Sequence, residues 1–292
     1  MAETLQTGLV LATQVARDTE VRRSSNGVNF ATFGETGVTE VDLDRMLEAV
    51  PEPIVAALKS NTYYFVPLAL RERPENLDLK KKPNPEQTVV ADAYTDEFSD
   101  AAICHRNVEL GSGHRGVFIS TRLMGDRFAL SFEFFINVAH AFVDQAGVPE
   151  AFAQLAWQQA LDNVRGETSM DAWESRSLAF GRAPSHEPEP QQPTSRRNRT
   201  PANRAFAAAA ETPAKPAAID EKERGFFVES SFSDAVAIYL LSLALDFDYA
   251  ELREREYPLL APAALAARLR LVAELFPPNP SYEFAVKYRR RA

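Results

Sequence analysis

The chain has a single cysteine, Cys104, among 292 residues. One thiol closes no intrachain disulfide and builds no cysteine-rich zinc module, so the sequence fits a reducing compartment. Positive charge is also scarce, with 32 lysines and arginines against 41 acids and a formal net charge of -9. A phosphate backbone or an anionic bilayer selects basic surfaces, so neither nucleic acid nor a membrane is an expected partner. No stretch offers the roughly 18 to 20 uncharged apolar residues that cross a bilayer. The amino terminus, MAETLQTGLVLATQVARDTEVRR, lacks a basic region followed by a long apolar run, and the expectation is a cytoplasmic protein. The G-x-x-x-x-G-K-[ST] phosphate loop and the G-x-G-x-x-G dinucleotide turn are missing, and GSG around Ser112 lacks the G-x-S-x-G elbow. These absences set aside ordinary nucleotide enzymes and serine hydrolases.

What is present is a globular composition, 45% hydrophobic and 25% charged. The chain divides into an α+β core over 1–180, a linker or insertion over 181–224, and a helical part over 225–292 expected to pack on the core. The linker is rich in proline and alanine and holds few large apolar residues to offset the entropy of ordering. Its Arg196, Arg197, Arg199 and Arg204 read as a solvated charge run, and His186 as a solvated histidine.

Within the core, Val41 to Leu58 reads as a helix entered through TEVD and interrupted at Pro51 and Pro53. Thr62 to Leu70 and Thr88 to Tyr94 have the β-branched and aromatic content of strands, and GSGH joins AICHRNVEL to RGVFIST as a hairpin. A long central helix is expected over 127–146, and another after Gly147, with Pro149 near its first turn. Two more helices follow the linker, Ser233 to about Glu254 and Ala263 to Phe276. The fold class is α+β: a small, mainly antiparallel sheet, a buried central helix and further helices.

The central helix carries a polar stripe. Asn137, His140 and Asp144 lie four, seven and eleven positions after Glu133. At about 100° per residue, all four fall within roughly 40° of one another. Between Phe128 and Val143 the only ionisable side chains are Glu133 and His140. An unpartnered carboxylate or imidazole in such a helix is costly to bury, so the stripe must be internally paired, open to a cleft, or bound to something.

The segment HRGVFISTRLMGDRFALSFEFFINVAH, a strand and a short turn running through Arg127 and Phe128 into a helix, resembles the ImmA/IrrE-type metallopeptidases. In that family an edge strand leads to an RFTLAHELGH-like active-site helix. The resemblance covers about thirty residues and implies a zincin-like fold. It places Glu133 on the HExxH glutamate, the general base for zinc-bound water. Phe132 and Ile136 then occupy the two histidine positions, and neither can ligate zinc. The family's third ligand, an acid on a later helix, would correspond to Asp234 in SDAVAIYLLSLAL. Helix capping explains Ser233 or Asp234 without a ligand role.

A rebuilt metal site is the alternative. His140 and Asp144 have the i, i+4 spacing of shared ligands, Asn137 could assist, and zinc would then be the cofactor. In a GSGH hairpin His105 pairs near Ile119 while His114 sits by the turn, more than about 10 Å away at roughly 3.3 Å per residue, so at most one joins His140. The leading expectation is a structural histidine and aspartate hydrogen-bonded across neighbouring elements, with no cofactor. Strand alternation sends Cys104 and His105 to opposite faces and makes Cys104 a core thiol. Trp157 and Trp173 belong to the core or to a self-association face. The functional expectation is a catalytically inactive metallopeptidase-like scaffold with a protein partner or self-association. The alternatives are a metal-dependent hydrolase and a helical interaction module unrelated to peptidases.

Overall fold

The computed structural model describes residues 8–71, 88–181, 219–252 and 257–287. The expected linker, with its arginine cluster and His186, lies outside the described residues between 182 and 218.

The architecture is α+β, with two sheets rather than one. The first, in the order β1(Leu9–Leu11), β6(Val89–Ala91), β5(Leu68–Leu70), β7(Ala102–Ile103), is wholly antiparallel. The second runs β2(Arg22–Arg23), β3(Asn29–Thr32), β4(Asn61–Val66), β9(His114–Ser120), β8(His105–Gly111). Its outer pairs are antiparallel, but β3, β4 and β9 are parallel. The parallel centre follows from connectivity. Between β3 and β4 lie α2(Glu40–Glu48) and α3(Glu52–Ala57), and a helical crossover returns the chain in the same direction. Thr39 caps α2 by accepting from the Asp42 amide, as TEVD implies, and Pro51 stands at the start of α3.

Both strands expected to be continuous are broken where the chain changes sheet. Pro67 separates β4 from β5, and Cys104 separates β7 from β8. Ser120 pins the two breaks together. Its Oγ donates to Ile103 O at 2.6 Å and accepts from Ala69 N at 2.7 Å, while its amide donates to Cys104 O at 2.9 Å.

Helix α4(Arg127–Ala146) spans the expected range and buries Phe134 and Phe135 completely. Tyr63 meets Phe134 edge-on with ring centroids 5.0 Å apart, which fixes the helix against the sheet. Truncating such a phenylalanine to alanine costs about 3–5 kcal/mol. After α5(Glu150–Leu161) and α6(Met170–Ala179) comes α7(Glu221–Ala244), followed by α8(Pro262–Leu275). Asp220 caps α7 through the Lys222 and Glu223 amides, so the helix starts before the expected Ser233 and includes the last residues assigned to the linker. It also stops at Ala244, short of Glu254. Among the described residues, α7 is the one helix long and apolar enough to cross a membrane, but most of that stretch is buried inside the protein, as in the core helix of a globular fold. Phe232 on α7 packs against Phe142 of α4 and Phe152 of α5, at 6.3 and 4.8 Å, so the helical part shares the core of the preceding residues.

Candidate functional site

The β8–β9 hairpin turns through Ser112 and Gly113, both at positive φ (53° and 74°), with Gly111 opposite His114. Positive φ at both turn residues matches the twist of the strands, and glycine takes that conformation without a Cβ penalty. The resulting register sets His105 opposite Ile119, as the sequence implies, and leaves His114 exposed by the turn. His105 therefore starts the edge strand of the mixed sheet.

Asp126 caps α4 by accepting from Ala129 N at 2.7 Å, and this fixes the helix phase. Along the polar stripe, three of the four residues are paired. His105 Nδ1 donates to Glu133 Oε1 at 2.5 Å. Asn137 Nδ2 donates to the Glu133 backbone oxygen at 2.8 Å and to Oε1 at 3.2 Å. Asp144 faces Arg115 of β9 at 3.7 Å, and Arg115 also holds Glu109 at 3.1 Å. The stripe is the seam along which α4 meets the polar hairpin.

His140 departs from the expectation. It is exposed and makes no hydrogen bond to a described residue, so it is not a buried structural partner. Desolvation by its surroundings lowers its imidazole pKa, against the opposing pull of Asp144 and Asp171. The stripe runs from the buried Asn137 to this exposed end, because helix α4 leaves the protein's interior near its C-terminus.

Phe132 and Ile136, which the resemblance aligns with the zinc-binding histidines, are half-buried and pack on the core. Among the described residues, no group of three or more His, Cys, Asp or Glu side chains gathers as metal ligands do. Asp234 is neither cap nor neighbour of this seam. It lies in the middle of α7, buried, accepting from Thr168 Oγ1 at 2.7 Å. Burial pushes its carboxyl up to about 6, against the lowering effect of bonds from Ser169 and Thr168. The sequence reading failed because α7 starts well before Ser233.

Cys104 is exposed rather than part of the core. It occupies the break between two strands, where sheet alternation no longer dictates the side chain's direction. Partial desolvation and the Glu133 carboxylate both raise its thiol pKa, the opposite of what activates a nucleophile.

The densest polar cluster is one that the sequence reading missed. Glu167 is fully buried between two arginines: Arg176 Nη1 donates to Oε1 at 2.9 Å and Arg268 Nη1 to Oε2 at 3.0 Å. Arg268 Nε donates to Gln159 Oε1 at 2.8 Å. Tyr257 Oη donates to Thr168 O at 3.0 Å nearby. One signal was available: Arg268 lies three residues after Leu265 and one before Leu269, on the apolar face of α8. An arginine there demands a carboxylate from another element.

Comparisons of the chain with protein-family models, with curated proteins and with solved structures found no match.

Proposed function

We propose that the protein is a catalytically inactive, metallopeptidase-like scaffold that acts through a protein partner or self-association in the cytoplasm. The observation that carries this reading is the state of Glu133. A general base for metal-bound water needs a carboxylate facing a metal held by neighbouring ligands. Here the Glu133 carboxylate accepts from His105 and Asn137, while Phe132 and Ile136 fill the flanking positions with core side chains.

The order of hairpin, turn and helix, with Arg127 and Phe128 in the first turn of α4, supports descent from the ImmA/IrrE-like arrangement. One difference stands against a simple correspondence: β9, which leads into α4, is internal, and β8 forms the edge. The interaction role is supported by large apolar side chains left exposed around the junction of α6 and α7, among them Leu178 and Ile219. The Asp220 amide donates to Ala179 O at 3.0 Å there, closing that junction.

The test is a peptidase assay on an unfolded protein substrate with zinc supplied, run on the parent and on Glu133→Gln. No turnover by either is the expected result. Zinc-dependent turnover that Glu133→Gln abolishes would replace this reading with a metal-dependent hydrolase.

A further inference from the structure

At the opposite end of α4 from His140 lies a cleft of about 260 Å³. It forms where the chain leaves β3 and β9 at their carboxyl ends, beside the first turns of α4 and the end of α7. Loops at the carboxyl ends of parallel strands lie together on one side of a sheet and commonly shape ligand crevices.

Its polar wall carries three arginines, Arg45, Arg122 and Arg127, against two aspartates, in a protein of net charge -9. Arg122 is held by its Nε, which donates to Glu35 O at 3.0 Å, and its guanidinium lies close against Gly37. Gly37 has φ +70°, and a Cβ there would stand 2.6 Å from the guanidinium carbon, so this approach requires glycine. Both terminal nitrogens of Arg122 remain without a hydrogen bond among the described residues. Arg45, on α2, likewise makes no side-chain hydrogen bond or ion pair with a described residue. The two acids that line the cleft are already used. Asp42 pairs with Arg127 at 3.1 Å, and Asp126 is the cap of α4.

Deeper in the cleft, Ser131 is only 6% exposed, yet its hydroxyl has no hydrogen-bond partner among the described residues. This hydroxyl borders the cleft and can donate to an acceptor placed there. Beside it, Met46, Leu130 and Leu245 make the lining apolar.

We propose that this cleft binds a small amphipathic carboxylate. The carboxylate sits on the guanidinium forks of Arg122 and Arg45, the Ser131 hydroxyl supplies a further donor, and a short apolar chain lies on Met46, Leu130 and Leu245. A planar fork matches a carboxylate in two parallel hydrogen bonds. The volume is below the roughly 300–1,000 Å³ of pockets for drug-sized molecules, which favours a short chain. An inorganic anion would leave the apolar lining wet, and a neutral apolar molecule would leave two arginines unanswered.

Isothermal titration of the full chain with octanoate, octanol and inorganic phosphate tests this. Octanoate should bind with one-to-one stoichiometry, at least about tenfold more tightly than octanol or phosphate. Arg122→Gln should weaken it by about tenfold or more while thermal melting stays close to that of the parent. Ser131→Leu, which fills the cleft, should abolish binding in a protein whose circular dichroism is unchanged. Equal binding of octanol would make the cleft a greasy hollow, and equal binding of phosphate a general anion patch. Either result overturns the proposal, as does unaltered octanoate affinity in folded Arg122→Gln, or the absence of octanoate binding to the folded parent.

Discussion

His105 Nδ1 donates to Glu133 Oε1 across 2.5 Å, tying the edge strand of the mixed sheet to the helix that packs beneath it. The carboxylate that the resemblance to metallopeptidases casts as a general base is thereby an acceptor in a seam between two elements. Asn137 completes it from one turn along the same helix.

That seam should be measurable as stability. Hydrogen bonds to charged groups contribute about 1.5–3 kcal/mol, but the His105 side chain is 38% exposed and Glu133 17%, so solvent screening reduces the effect. His105→Ala should lower unfolding free energy by about 1–2 kcal/mol in urea, and Glu133→Gln, which keeps an acceptor oxygen, by less. A variant of His105 as stable as the parent would leave the seam without energetic content.

The exposed end of the stripe should behave differently. Asp144 is 67% exposed and 3.7 Å from Arg115, and His140 has no hydrogen-bond partner among the described residues. His140→Ala and Asp144→Ala should each change stability by no more than about 0.5 kcal/mol. The check is a pair of denaturant curves alongside that of His105→Ala.

The buried cluster around Glu167 should be far less tolerant. Glu167→Ala leaves Arg176 and Arg268 charged and unpaired in the interior, and removing one partner of such a group costs about 3–5 kcal/mol. Thermal melting should show the largest loss of any single substitution named here, larger than that of His105→Ala.

Asp234 gives the fold a pH dependence with a definite sign. Its folded-state carboxyl is raised from 3.8 to about 6 by burial, so the native protein binds this proton more tightly than the unfolded chain does. The resulting contribution is fully present below the unfolded value and is lost as pH rises from about 4 through about 6. Asp234→Asn keeps an oxygen that can accept from Thr168 and removes the titration. It should be more stable than the parent above pH 6, by about 3 kcal/mol, with the difference shrinking towards pH 4. Chemical unfolding of both proteins from pH 4 to 8 measures it.

Local signals made much of this fold legible. The GSGH turn, the Pro51 break, the phase of α4 and the start of α8 at Pro262 are each written in a few adjacent residues. The split strands were not, because Pro67 and Cys104 mark changes of sheet that only the pairing of distant segments defines. The short central strand β3, NFAT, gains its place from β4 alongside it rather than from its own pattern. Helix α7 was misplaced because its first turn, EKERG, is charged and ends in glycine, and the polar ESS that follows Phe226–Val228 interrupts the apolar run before Ser233. Of the candidate site, the stripe was legible from helical spacing, and its partners on the hairpin were not. His105 and Arg115 reach α4 only through tertiary packing. The Glu167 cluster joins side chains about a hundred positions apart, Glu167 to Arg268 and Gln159 to Arg268, and no local pattern encodes it.

The measurement that bears most directly on the central claim is the zinc content of the purified, untagged protein, by elemental analysis, with and without prior zinc loading and desalting. A Glu133 that serves as an acceptor between His105 and Asn137, flanked by Phe132 and Ile136, holds no metal. Zinc should therefore stay far below one equivalent per chain, with a melting temperature unchanged by chelator. One equivalent of zinc surviving desalting, lost in Glu133→Gln or His140→Ala, would contradict it.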